Sequence, residues 1–148
     1  MAIYRCAACG ALNRPGPGSV RASGLGAGST GRPTCATCRR PLDTSGLPQA
    51  VDAAALVSAI RSSPAPVLVD FSARGDTVPG VSAVAQAEAG RLVVLRVDPL
   101  REPAAVAAFS IAERHSLVLF RSGSEVARRC DAAPAAEVQR WLEATAAG

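Results

Sequence analysis

Four of the five cysteines fall early in the chain and form two Cys-x-x-Cys pairs, Cys6 with Cys9 and Cys35 with Cys38. Thiolates spaced in this way can face one ion, because the tight turn between them curls the backbone around it. Gly10, directly after Cys9, favours such a turn. Two pairs together supply the four sulfur ligands of a tetrahedral structural zinc site. We therefore predict a structural Zn²⁺ ion with no open position for water or substrate.

The same thiols support a second hypothesis, a redox switch. Oxidation of the metal ligands would release zinc, and Cys130, the fifth cysteine, would serve as a resolving thiol.

The N-terminus lacks the pattern of a secretory signal, and no segment approaches the about 20 apolar residues that span a bilayer. We therefore expect a cytoplasmic protein without membrane contact. Thiols stay reduced in the cytoplasm, so metal binding is the better interpretation of the paired cysteines.

Positive charge is concentrated near the N-terminus. All 16 basic residues are arginine, and six of them lie within residues 1–46 together with Asp43 alone. A basic surface attracts nucleic acid, so DNA or RNA binding through this segment is one hypothesis. Tyr4 is its only aromatic residue for stacking on bases. We prefer the simpler interpretation of compositional bias, since the chain has no lysine even where lysine would serve equally well.

Turn-forming residues divide the chain in two. Gly, Ser and Pro dominate residues 15–33, which predicts a flexible loop between the two cysteine pairs. Residues 44–48, Thr-Ser-Gly-Leu-Pro, form a second break. We place a small zinc-binding domain at residues 1–46 and a second domain at residues 47–148.

The second domain alternates helical and strand-like patterns. Asp52 is a candidate N-cap for its first helix. The predicted order is helix 53–61, strand 66–71, helix 81–89, strand 92–97, helix 102–109, strands 117–120 and 124–130, and a final helix from 134 with Val138, Trp141 and Leu142 on one face. Nearly continuous apolar strands between helices are typical of an α/β sandwich with parallel central strands.

Several segments resemble bacterial thioredoxins of the thioredoxin-2 type, which carry an N-terminal zinc ribbon. Residues 6–15, Cys-Ala-Ala-Cys-Gly-Ala-Leu-Asn-Arg-Pro, and residues 35–42, Cys-Ala-Thr-Cys-Arg-Arg-Pro-Leu, resemble that ribbon. Residues 66–71, Pro-Val-Leu-Val-Asp-Phe, resemble the strand that leads to the active site, 120–123 the hairpin turn, and 132–142 the last helix. The resemblance covers nearly the whole chain and implies a thioredoxin-like three-layer α/β sandwich with a zinc ribbon.

The chain departs from this family at the residues that carry its activity. In the family, the strand ending at Phe71 runs into Trp-Cys-Gly-Pro-Cys, whose dithiol reduces disulfides, but residues 72–80 here hold no cysteine. Aligned without gaps, Asp76 and Pro79 take the two cysteine positions. In a second alignment, Pro79 matches the proline inside the family's helix, and several residues around the dithiol are deleted. We prefer this second alignment because it keeps the following helix and strand in phase with those of the family. Disulfide exchange requires a thiolate, so we expect this activity to be lost.

Two further positions of the family's groove are changed. His115 stands where the family has its cis-proline. A cis peptide bond before a residue other than proline costs about 2.5–4 kcal/mol, so we expect the bond before His115 to be trans. Asp131 replaces the glycine that follows the fourth strand. The family's geometry brings Asp76, His115, Cys130 and Asp131 to one surface as candidate groove residues. A cysteine with a histidine and a carboxylate can act as nucleophile, base and orienting group, or as a weak metal site. The simpler interpretation is a small semi-buried thiol beside an ordinary loop histidine, and we assign no catalytic residue.

Asp70 matches a buried carboxylate that, in active relatives, assists deprotonation of the second cysteine. Without that thiol we expect a desolvated relic that either pairs with Arg96 on the neighbouring strand or has a raised pKa. The sequence thus favours a redox-inactive, thioredoxin-like zinc-binding protein that acts as a protein-binding module or as an accessory subunit of a larger assembly. Thiol-based redox chemistry and nucleic-acid binding remain the alternatives.

Overall fold

The computed structural model describes residues 2–14, 33–73, 79–112, 116–131 and 133–147. Within these residues, the N-terminal part forms a small antiparallel sheet of two strands, β1 (Tyr4–Arg5) and β2 (Leu12–Asn13). The remainder alternates strands and helices. Its elements are β3 (Gln49–Ala50), α1 (Ala53–Ser62), β4 (Val67–Phe71), α2 (Pro79–Ala87), β5 (Val93–Val97), α3 (Pro103–Ala108), β6 (Ser116–Arg121), β7 (Ser124–Arg129) and α4 (Ala135–Ala147).

The large sheet has the strand order β3-β5-β4-β6-β7. Strands β3, β5 and β4 run parallel to one another. Strand β6 pairs antiparallel with β4, and β7 pairs antiparallel with β6. All five residues of β4 are buried, as expected for a central strand covered on both faces. The predicted helices and strands are all present, but β3 was not predicted, since its two residues lie between turn formers and carry no apolar run.

Helices cover both faces of the sheet, which gives three layers and confirms the predicted α/β sandwich. Alternate strand residues point to opposite faces. One face packs against α1 and α3, and its buried members include Leu56, Ile60, Val69, Phe71, Leu95 and Ala105. The other packs against α2 and α4, and its buried members include Leu68, Val84, Leu117, Leu119, Val138 and Leu142.

Two helix boundaries follow from local chemistry. The carboxylate of Asp52 accepts a hydrogen bond from the Ala55 amide at 2.8 Å, which confirms the predicted N-cap of α1. Chain reversal after α2 takes place at Gly90, whose φ of +85° favours glycine. No helix among the described residues has both the length and the apolar character that crossing a membrane requires.

Candidate metal centre and groove

The two cysteine pairs lie on turns of matching geometry. In the first, the Gly10 amide donates to the Cys6 carbonyl at 2.8 Å, and in the second the Arg39 amide donates to the Cys35 carbonyl at 2.9 Å. Gly10 and Arg39 both have left-handed backbone conformations, with φ of +80° and +68°. The amide of each first cysteine also donates to the carbonyl five residues further on, at 2.8 Å in both turns. The two turns therefore present their sulfur pairs in equivalent ways.

The four sulfur atoms converge on one point. The Sγ atoms of Cys6, Cys9, Cys35 and Cys38 all lie within 4.8 Å of one another. The Cys6–Cys38 and Cys9–Cys35 sulfur pairs are each 3.6 Å apart. A tetrahedral ion with metal–sulfur bonds of about 2.3 Å requires sulfurs about 3.8 Å apart, so the donor set and its spacing fit such an ion. The prediction from cysteine spacing is thus confirmed to this extent: the four cysteines lie close enough together to hold a metal ion.

Asn13 is a supporting residue that the sequence reasoning did not single out. Its side chain is buried and links the two turns: Nδ2 donates to the Cys35 sulfur at 3.5 Å and to the Ala11 carbonyl at 3.1 Å. Its Oδ1 accepts a hydrogen bond from the Ala36 amide at 2.9 Å. Asn13 therefore fixes the second turn relative to β2 and orients one sulfur, which is the part that outer-sphere residues play at metal sites.

The surroundings give the thiols different acidities. Hydrogen bonds from the backbone amides of Cys38 and Thr37 lower the pKa of Cys35 to about 6. Cys9 is affected in the opposite sense: although a hydrogen bond from the Ala11 amide opposes the effect, partial loss of hydration at the sulfur and the neighbouring thiols together raise the pKa of Cys9 to about 11. Cys35 and Cys9 thus differ in acidity, and a bound metal must displace the protons of any ligand that still carries one.

The predicted groove residues are only partly within the described chain. Asp76 and His115 lie outside it, as does the predicted trans bond before His115. Cys130 is exposed just after β7, with its sulfur 3.9 Å from the Ser116 hydroxyl. Asp131 forms two hydrogen bonds of 2.7 Å with the Arg129 guanidinium, which lower the pKa of this carboxyl. A shared site of all four residues stays a prediction.

Asp70 is fully buried in β4, and its carboxylate accepts a hydrogen bond from the Ser72 hydroxyl. Strand register places it directly opposite Arg96 of β5, so their predicted pairing is compatible with the topology and stays a prediction. Ser72 opens the segment that joins β4 to α2. That segment contains no cysteine, and none occurs anywhere between residues 39 and 129.

Of the comparisons with known proteins, the one with solved structures supports the fold. No protein-family model matches the chain, and no curated protein matches it. Among solved structures, the chain is similar to the X-ray structure of Fasciola hepatica thioredoxin, with a TM-score of 0.57 and 23% identity. The match covers 64% of this chain and 94% of that one. The chain therefore has a thioredoxin-like fold, to which its N-terminal part adds a cluster of four cysteines placed to bind a metal ion.

Proposed function

We propose that the protein is a redox-inactive, zinc-binding protein of thioredoxin fold that acts as a protein-binding module or as an accessory subunit of a larger assembly. The distribution of thiols carries the proposal. Four sulfurs meet at one metal site, whereas the segment between β4 and α2 has none. Reduction of a disulfide needs one thiolate to attack and a second thiol to resolve the mixed disulfide. The sandwich thus retains its core without that pair.

Zinc is the metal that best suits the four-cysteine site. Four thiolates in a tetrahedral arrangement favour Zn²⁺ or an iron–sulfur centre over hard ions such as Mg²⁺ and Ca²⁺. The resemblance to a zinc ribbon favours zinc of these two. With all four positions taken by protein sulfur, the ion stabilises structure and has no place for a reacting water.

A reductase assay on the full chain tests the loss of redox activity. Purified protein, with its zinc content measured first, is added to insulin and dithiothreitol, with an authentic thioredoxin as the positive control. We expect one zinc per chain and no acceleration of insulin reduction over dithiothreitol alone. Turnover that approaches that of the authentic thioredoxin would refute the proposal, and Cys130→Ser would then show whether the fifth cysteine is responsible.

The binding role needs a separate test. Affinity purification of the tagged protein from its native cells should recover a defined partner in a fixed ratio. The partner should then bind purified zinc-loaded protein directly, as measured by calorimetry. A protein that stays monomeric and recovers nothing above the background of a tag-only control would count against a role as module or subunit.

A zinc-release redox switch is the second candidate, because one observation favours it. Sulfurs from different turns, Cys6 with Cys38 and Cys9 with Cys35, are as close as 3.6 Å, and Cys9 is exposed. Mild peroxide would then form disulfides between the turns and expel the metal. A metal-sensitive dye follows the release: retention of zinc and of all thiols removes this candidate, and release at low peroxide supports it.

Nucleic-acid binding rests on charge alone. Arg39 and Arg40 are exposed beside the second turn. Binding through such residues weakens steeply with salt. An electrophoretic shift with DNA or RNA at low salt that disappears at physiological salt would support it, and no shift at low salt would eliminate it.

A further inference from the structure

Arg5 joins the metal site to the edge of the large sheet. It lies in β1, directly before the ligand Cys6. Its Nη1 donates to Oε1 of Gln49 at 2.7 Å, and Nε2 of Gln49 donates back to the Arg5 carbonyl at 2.9 Å. Gln49 belongs to β3, the first strand of the sandwich in chain order. These reciprocal hydrogen bonds form a bridge between residues 44 positions apart.

The same guanidinium lies against the first cysteine turn. Its Nη2 is 3.1 Å from where a side-chain carbon on Gly10 would sit, so glycine leaves room for it. Its Nε is buried and has no hydrogen-bond partner within the described residues. Burial lowers the pKa of Arg5, while the charges of the Cys6 and Cys9 thiolates act in the opposite sense. A half-buried cation with a spare donor therefore stands against the turn that follows Cys6 and Cys9.

Charge balance gives this cation a role once the site is loaded. Four thiolates around a divalent ion carry a net charge of about −2, and the sulfurs of Cys6 and Cys35 belong to buried residues. A buried net charge is costly without a counter-charge. Arg5 directly precedes Cys6, so a metal that fixes the first cysteine turn also fixes the strand from which this guanidinium reaches Gln49.

Strand β3 is short and has one neighbour in the sheet. It has two residues, lies at the edge of the sheet and pairs with β5 alone. The Val51 amide, just beyond it, donates to the Arg96 carbonyl at 3.0 Å. Asp52, the N-cap of α1, follows immediately. Residues 49–52 thus lead directly into α1, whose first residue, Ala53, also donates its amide to Oε1 of Glu102 at 2.8 Å.

From these contacts we infer that Arg5 is the counter-charge of the metal–thiolate centre and couples metal binding to the docking of β3 on the sheet through Gln49. The inference rests on the proposed zinc site and adds a regulatory consequence. Loading the site orders β3 and the start of α1, and losing the metal loosens them. Arg5 acts as a positioning residue, since the metal is bound by the four cysteines.

Hydrogen exchange of the Val51 amide in the full chain, with and without zinc, tests the coupling. Removing zinc should speed this exchange about tenfold or more, the effect of losing a hydrogen bond to a charged group. In Arg5→Met with zinc bound, the exchange should already be at the metal-free rate. The zinc affinity of this variant should also fall by about 10- to 100-fold, the range for outer-sphere partners of a metal site.

Two variants separate charge from general damage. Gln49→Leu breaks the bridge but keeps the cation, so it should free Val51 while lowering zinc affinity less than Arg5→Met does. Gln49→Leu also provides the test if Arg5→Met fails to fold. Arg40→Met, the matched control, removes an exposed arginine beside the second turn and should change neither readout.

The outcomes distinguish this inference from the proposed function. Purified protein that binds no zinc overturns both. Bound zinc with equal Val51 exchange in the loaded and metal-free states overturns the coupling alone. The same holds if Arg40→Met lowers zinc affinity as much as Arg5→Met. A cobalt-substituted sample of each variant should keep the absorption bands of tetrahedral thiolate ligation, which shows that all four cysteines still bind.

Discussion

Replacing Asn13 with alanine tests how much of the metal site depends on a residue that does not bind the metal. The substitution removes the hydrogen bond from Nδ2 to the Cys35 sulfur, at 3.5 Å, and the one that Oδ1 accepts from the Ala36 amide, at 2.9 Å. It leaves all four sulfurs in place. The Ala11 carbonyl, which also loses the Asn13 amide, keeps the hydrogen bond from the Cys6 amide.

The magnitude follows from the contacts with Cys35 and Ala36, because the Ala11 carbonyl keeps a second donor. A hydrogen bond to a charged group such as the Cys35 thiolate contributes about 1.5–3 kcal/mol, and a neutral one about 0.5–1.5 kcal/mol. Ala36 is exposed, so water replaces much of the second contact. The zinc-loaded protein should therefore lose about 2–4 kcal/mol of stability. The thiolate contact alone should weaken zinc binding about 10- to 100-fold, as outer-sphere substitutions commonly do.

Competition with a chromophoric chelator measures the zinc affinity, and urea unfolding of the loaded protein measures the stability. Asn13→Asp is the sharper variant: it keeps an acceptor for Ala36 but loses the donor to Cys35 and adds a negative charge beside the thiolates. We expect it to weaken zinc binding more than alanine does. Thr37→Ala, an exposed change in the same turn, is the matched control. Zinc affinities for both Asn13 variants within twofold of the parent protein would refute the reasoning.

Three further predictions follow from the described contacts. In the zinc-loaded protein, Cys130 should be the one thiol per chain that reacts rapidly with a thiol reagent, because the other four sulfurs lie at the metal site. Cys130→Ser should abolish this fast phase, and a second rapidly reacting thiol would contradict the prediction. Asp52→Ala should cost about 0.5–2 kcal/mol in urea unfolding, whereas Asp52→Asn, which can still cap Ala55, should cost less. Arg129 lowers the pKa of Asp131 from its ordinary value of 3.8, so this ion pair stabilises the fold at pH values above 3.8. The contribution disappears as the pH falls through the lower pKa of the folded state. Since Asp131 is exposed, Asp131→Asn should change stability at pH 7 by less than about 1 kcal/mol, and the change should shrink as the pH is lowered below 3.8.

The sandwich was predictable because its signals are local. A nearly continuous apolar run, broken by Asp70 alone, marks β4, and an N-cap marks α1. Strand β3 carries no such signal, since its two residues are held by pairing with Leu95 and Arg96 of β5. Contacts between residues so distant in sequence leave no periodic trace in the chain, so the sequence analysis assigned no element to the two residues of β3.

The candidate metal site shows the same division. Cysteine spacing identified its four ligands, because two turns of identical type repeat the same pattern. Asn13 and Arg5 were missed as functional residues. Arg5 was counted only as part of the positive charge of residues 1–46, and its partner Gln49 lies in the unpredicted strand. Asn13 had one available signal, a polar residue in a short strand that follows a cysteine turn, but its partners belong to the other turn.

The boundary drawn at residue 46 stays a prediction, and the packing on either side of it argues that the two parts are not energetically independent. Ile3 is buried among the core residues of the sandwich, and its amide donates to the Gly90 carbonyl at 2.8 Å. Leu12, in β2, packs against the same core. In the break between the two parts, a side-chain carbon on Gly46 would lie 2.5 Å from the Ala85 carbonyl of α2, so this segment runs in close contact with the helix. Binding of the proposed zinc ion would fix β1 and β2, and with them Leu12 and Ile3, which directly precedes β1. Part of the binding free energy of such an ion would therefore stabilise the sandwich as well as the cysteine turns.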